Sequence, residues 1–198
     1  MQKIFTFLIF GLIIFSSCHS RENKSEYSII KNTESVQTFF PVTDYLKGQL
    51  YELDSMPVTP LKTVTFNGKI DSEWLKRESI RIFAAPFLTP VIDSVSMSPY
   101  FSVKSFLDQT INAFTFSYDP IKQLPDSIKL THWDVYINPQ SSTVERIYLV
   151  KENTENGINT TTQLTWKSDQ GCTIITITQK PGKEPLIKEE KMKWNFNN

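Results

Sequence analysis

From Thr110 to the C-terminus the chain keeps one rhythm: runs of about ten residues rich in Thr, Ile, Val, Tyr and Trp, separated by turn formers. That rhythm predicts six strands. The first carries Asn112, Phe114, Phe116 and Tyr118 on one face, and the second carries Trp133, Val135 and Ile137 and stops at Asn138-Pro139. The third covers Val144 to Lys151 and ends before Asn153 to Gly157, and the fourth is marked by Leu164 and Trp166. Gly171 opens the fifth, with Ile174, Ile175 and Ile177. Lys180 to Lys183 then turns the chain into the sixth, where Leu186, Met192, Trp194 and Phe196 alternate with charged residues. Connections this short join antiparallel neighbours, because a parallel pair needs a crossover of about a dozen residues or more.

The residues before Thr110 follow a different period. Val42, Leu46, Leu50 and Leu53 recur at helical spacing after Pro41, which predicts a helix over 39–53 ended by the Pro57 to Pro60 stretch. Leu61 to Ile70 alternates well enough for a strand or extended connection. A second helix is expected from an Asp71 or Ser72 cap, with Trp74, Leu75, Glu78 and Ile82 on its stripe and Pro86 as its stop. Residues 86–109 fit neither period, because Pro86, Pro90 and Pro99 interrupt them; a helix around Val103 to Leu107 and a functional loop are both open readings. The expected architecture is α+β: two N-terminal helices, then a six-stranded antiparallel meander packed on them through one face. A meander of long twisted strands can curl as a half-barrel. That layout is similar to the periplasmic lipoprotein carriers of the LolA type, a likeness of arrangement without a shared motif.

The N-terminus reads as an address. Lys3 precedes a twelve-residue stretch, Ile4 to Phe15, broken only by Thr6 and Gly11, and Ser16 and Ser17 lead to Cys18. A membrane-spanning helix needs about 20 apolar residues, so this run suits the core of a secretory signal. Phe15-Ser16-Ser17-Cys18 resembles the lipobox of bacterial lipoproteins, with Phe15 in the place of the usual Leu. The resemblance implies cleavage after Ser17, a diacylglycerol on the Cys18 thiol and a third acyl chain on its new amino group. It covers the N-terminus alone and implies no activity. The expected organisation is a signal peptide over 1–17, lipidated Cys18 and a polar flexible tether, including His19, over 18–37, and one domain over 38–198.

Composition narrows the functional classes. Lys and Arg number 21 and Asp and Glu number 21, with no polybasic run, so the chain lacks the electrostatic footprint of a nucleic-acid binder. Two cysteines exclude a disulfide-rich scaffold and a four-thiolate zinc site. With Cys18 lipidated, Cys172 has no partner within the domain and is expected to pack as a small hydrophobe. His132 is the one histidine in the folded part, and it stands two residues before Asp134, on the strand face opposite Trp133. A single His-x-Asp pair can help hold a metal or relay a proton, but it is more often a structural or solvent-facing pair. No GxGxxG, Walker A or HExxH segment occurs. No catalytic residue, metal or cofactor is therefore expected.

Trp133, Trp166 and Trp194, each on a different predicted strand, form a candidate surface for a sugar or lipid, against the alternative that they fill the core. Asp54-Ser55-Met56, Asp93-Ser94-Val95 and Asp126-Ser127-Ile128 resemble the Asp-Ser/Thr-aliphatic sites that some Gram-negative bacteria O-glycosylate, which makes Ser55, Ser94 and Ser127 candidate acceptors in predicted loops or strand entrances. Three functional expectations follow. The first is a non-enzymatic envelope lipoprotein, outer-membrane anchored and facing the periplasm, that binds an apolar or amphipathic ligand or a partner protein. The others are a hydrolase of envelope carbohydrate or lipid, and a structural or assembly lipoprotein.

Overall fold

The computed structural model describes residues 39–196. The signal segment, Cys18 and the tether lie outside the described residues. The domain is one nine-stranded antiparallel sheet in the order β2-β1-β9-β8-β7-β6-β5-β4-β3, with its helices on one face. The first helix, α1 (Val42–Ser55), begins directly after Pro41 and buries Val42, Leu46, Leu50 and Leu53 as their spacing requires. Among the described residues no helix is long and apolar enough to cross a membrane.

The next stretch departs from expectation. Leu61–Phe66 (β1) and Lys69–Trp74 (β2) form a hairpin closed by Asn67 and Gly68, both at positive φ. Asn-Gly is the pair that a two-residue hairpin turn favours, because its twist matches the strands it joins. The second helix therefore starts later, as α2 (Arg77–Ala84), and Asp71, Ser72 and Trp74 belong to β2. Pro86 does end it, inside a 3-10 turn over Ala85–Leu88. The Asp54 carboxylate accepts from Arg81 and ties α1 to α2.

Residues 86–109 are neither one loop nor a helix. They hold that 3-10 turn, the one-turn helix α3 (Ser94–Met97) capped by Asp93, and strand β3 (Phe101–Asp108), which contains Val103 to Leu107. The six predicted strands are all present, as β4 (Ala113–Pro120), β5 (Leu130–Ile137), β6 (Val144–Glu155), β7 (Ile158–Lys167), β8 (Gly171–Gln179) and β9 (Leu186–Lys193). Asn112 is a turn residue at φ 50°, outside the face assigned to it, and Trp194 and Phe196 lie just beyond β9. The count is nine strands instead of six because β1, β2 and β3 lie in the part of the chain where prolines and a short hairpin hide the period. Pairing of β1 with β9 joins the two ends of the domain in one sheet.

Transverse rows of paired residues show where the core stops. On the helix-covered face one row runs Val103, Tyr118, Trp133, Leu149, Leu164, Ile174, Glu190, Val64, Asp71 across the whole sheet. Tyr118 through Ile174 are buried, whereas Glu190 and Val64 are half-buried and Asp71 is exposed. The neighbouring row repeats the change: Val135, Ile147, Trp166, Cys172 and Met192 are buried, and Lys62 and Glu73 follow. The helices thus seal the β3 to β8 part of this face and the Met192 end of β9, and leave β9 around Glu190 and the β1 and β2 part open.

Candidate functional cleft

The uncovered part of that face forms a cleft of about 650 Å³ between α2 and strands β1, β2, β8 and β9. Ile174, Glu190 and Lys62 make its floor, and Leu75, Phe83 and Pro86 its wall. Ile82, predicted on a mostly apolar stripe, is 76% exposed and stands at the rim, while Trp74, 62% exposed at the end of β2, shares a register row with Leu61 and Lys193 on the opposite face and packs on Phe196. A second hollow of about 610 Å³ shares Ile82, Pro86, Ile174 and Glu190 with the first and reaches Lys151, Thr162 and Thr176. Volumes of this order suit a small amphiphile or a single acyl chain.

Polar groups in the cleft are mostly committed to one another. Lys62 Nζ lies 3.1 Å from Glu73 Oε1, and Lys188 Nζ lies 3.0 Å from Glu190 Oε2. Lys151 projects from β6 beneath the 3-10 turn and donates to the carbonyl oxygens of Pro86 and Thr89. Burial pushes its ammonium down to about 8. Glu73 and Glu190 give the cleft two carboxylates, but both are engaged by lysines, so the pair lacks the uncommitted acid and base that glycoside hydrolysis uses.

The sequence-predicted residues fall elsewhere. Trp133 and Trp166 are fully buried and Trp194 is 6% exposed, so the candidate ligand platform is a core cluster instead. Trp133 stacks on Tyr118 at 4.5 Å and meets Phe101 edge-on at 4.6 Å, while Trp166 packs against Phe87 and Trp194. The physical reason is that the helices cover β5 and β7, the strands that carry the first two. Cys172 lies buried between Trp166 and Met192 in register, and burial pushes its thiol up, away from thiolate reactivity. Ser55, Ser94 and Ser127 are all exposed. Ser55 closes α1 and Ser94 opens α3, so two of the three lie in helical turns and not in the loops expected.

His132 and Asp134 point away from the core, on the face opposite Trp133. His132 Nδ1 lies 2.9 Å from Asp119 and Nε2 lies 3.1 Å from Asp134, and the Tyr136 hydroxyl donates to Asp134 at 3.0 Å. Both ring nitrogens face carboxylates, so neither offers a lone pair to a metal or to a substrate proton. Among the described residues no group of three or more His, Cys, Asp or Glu could hold a metal ion. The hydrogen bond to Asp134, aided by Asp119, holds the imidazole above its ordinary range against the opposing effect of burial. Burial alone would raise the Asp134 carboxyl, yet hydrogen bonds from His132, Ser117 and Tyr136 hold it below its ordinary value.

These shifts predict a pH window. The raised His132 contributes stability that is full below its unfolded value of about 6.5 and is lost as pH rises through the folded value. The depressed Asp134 contributes stability that is full above its unfolded value of about 3.9 and is lost as pH falls through the folded one. Urea unfolding should therefore show the largest advantage of wild type over His132→Gln between about pH 4 and 6.5, shrinking toward pH 9. A difference that stays constant or grows with pH contradicts the charged pairing.

Fold and cleft together define a class: a sheet-rich antiparallel domain with few helices, which cover most of one face and leave an amphipathic cleft at one end. Compared with known proteins, the chain matches no family model, no curated protein and no solved structure.

Proposed function

We propose that the protein is a non-enzymatic envelope lipoprotein, held in the outer membrane through acylated Cys18 and facing the periplasm, that takes an apolar or amphipathic ligand in the cleft beside α2. In this reading the nine strands curve as a half-barrel around the helices, and the tether over 18–37 lifts the domain from the bilayer. The single observation that carries the reading is the open end of the helix-covered face, where Ile82 and Phe83 stand over a floor of Ile174, Lys62 and Glu190. Apolar side chains left in water beside a preformed hollow are what a binding site for an apolar group requires.

Native mass spectrometry of the full chain isolated from the envelope in detergent, followed by organic extraction, tests this. A reproducible amphiphile is expected. Burying an aliphatic side chain contributes about 1.5–3 kcal/mol, so Ile82→Glu should lower the retained ligand about tenfold or more. That variant should unfold normally, because Ile82 is already exposed. A wild-type protein free of any adduct overturns the carrier reading.

A second reading, hydrolysis of an envelope glycan or lipid, draws on Glu73 and Glu190 as the two carboxylates of the cleft and requires a substrate that displaces their lysine partners. It requires turnover of such a substrate that disappears in both Glu73→Gln and Glu190→Gln. The exposed Ser55, Ser94 and Ser127 fit O-glycan acceptors on an exported domain. Protein from the native host should then exceed its polypeptide and acyl mass by hexose-type increments, and a mass without them dismisses all three sites.

A further inference from the structure

On the face of the sheet opposite the helices, one transverse row reads Tyr136, Arg146, Lys167, Gly171, Lys193 over strands β5 to β9. Three of its five residues are cationic in a chain whose acids and bases are equal in number. Adjacent strands lie about 4.8 Å apart, so Lys167 and Lys193 flank Gly171 at a spacing that lets both ammonium groups reach one small anion. Gly171 has no side chain to fill the gap. A Cβ there would meet the Met192 carbonyl oxygen at 2.5 Å, so glycine is imposed at this position by the close approach of the β9 backbone. The next row places Thr165, Thr173 and Lys191 beside it. The result is a groove of about 370 Å³ lined by Lys167, Lys191 and Lys193, with the hydroxyls of Thr165 and Thr173 on its floor and no carboxylate among its described lining residues. Lys191 is bound at 2.8 Å by Glu189, Lys193 lies over the Phe196 ring, and Arg146 stacks on Tyr136 at the row's far end.

We infer that this groove binds a phosphate group, with Lys167, Lys191 and Lys193 as its charge contacts and Thr165 and Thr173 as hydroxyl donors. Lysine ammonium groups act as point charges that suit a tetrahedral oxyanion, and the threonine hydroxyls supply donors at its base. The groove lies on the other side of the sheet from the amphipathic cleft, so the two can be filled together. The phosphate can be that of a soluble ester or that of an anionic phospholipid headgroup.

Amine acylation mapped by mass spectrometry on the full chain in dodecyl maltoside tests the inference. One probe is inorganic phosphate against chloride at equal ionic strength, and the other is lysophosphatidylglycerol in mixed micelles against dodecyl maltoside micelles alone. At two-thirds occupancy the labelling of Lys167, Lys191 and Lys193 should fall about threefold, with Lys47 and Lys183 unchanged. Protection by phosphate alone assigns a soluble ester, protection by lysophosphatidylglycerol alone assigns a lipid headgroup, and protection by both assigns the shared group. Lys167→Gln with Lys193→Gln should abolish the remaining protection at Lys191 while leaving the thermal midpoint in place. Labelling that neither probe changes relative to its control overturns the inference, as does protection that survives in the double variant.

Discussion

Trp133→Ala is expected to cost about 3–5 kcal/mol of stability, the largest effect of any single side-chain truncation proposed for the domain. The indole is fully buried at the centre of the sealed part of the sheet, stacked on Tyr118 and in contact with Phe101 and Phe39. Those partners come from β3, β4 and the segment before α1, so truncation opens a cavity that no single element can move to fill. The loss should lower the thermal midpoint by on the order of 10 °C. Trp133→Phe keeps a ring against Tyr118 and removes an indole N–H that meets no protein acceptor, so it should cost much less than the alanine variant. Urea unfolding followed by far-ultraviolet circular dichroism separates these outcomes. A loss below about 1 kcal/mol for Trp133→Ala would be too small for a core side chain of this size.

Replacing Cys18 by Ser is expected to remove all acyl label from the protein. Each buried methylene contributes about 0.8 kcal/mol to membrane binding, so one chain holds a protein marginally and two or more hold it stably. Three chains on one N-terminal cysteine would make the wild type a permanent membrane component, while the variant has no thiol for the diacylglycerol. Metabolic labelling with palmitate, together with the intact mass of the product, is the measurement. Wild type should carry label and a chain starting at residue 18. Label that persists in Cys18→Ser would place the acyl group elsewhere, and an unlabelled wild type would remove the anchor from the proposed function.

The buried aromatic cluster and the open cleft were unequally visible in the residues. Alternation over 113–193 carries the strand signal because each strand there is long and flanked by clear turns, such as Asn156 and Gly157 between β6 and β7. The Asn67-Gly68 pair carried the same signal for β1 and β2, but Trp74, Leu75, Glu78 and Ile82 mimic a helical stripe that runs straight across the end of β2. A short strand followed closely by a short helix gives a spacing that neither period describes alone. Strand β3 was hidden for a related reason, since Pro99 stands two residues before it and Phe106 and Leu107 break its alternation.

The cleft was out of reach of such reasoning. Lys62, Glu73, Ile82, Lys151 and Glu190 are scattered along the chain, and each reads alone as a solvated charge or an ordinary apolar residue. Their meeting depends on β1 pairing with β9, a contact between the two ends of the domain. The basic groove was invisible for the same reason, because Lys167 and Lys193 are separated by a whole hairpin and meet only across Gly171.

Local chemistry alone determined the first helix, the antiparallel order of the last six strands, the outward direction of His132 and Asp134 and the burial of Cys172, since each depends on periodicity or on short connections between neighbours. Only the tertiary structure decided that Trp133 and Trp166 are core, that Ile82 and Trp74 are exposed and that one end of the sheet stays uncovered. Those outcomes follow from how far four helical segments, the longest of 14 residues, can reach across nine strands, and that reach is a property of the packed whole and of no single stretch of chain.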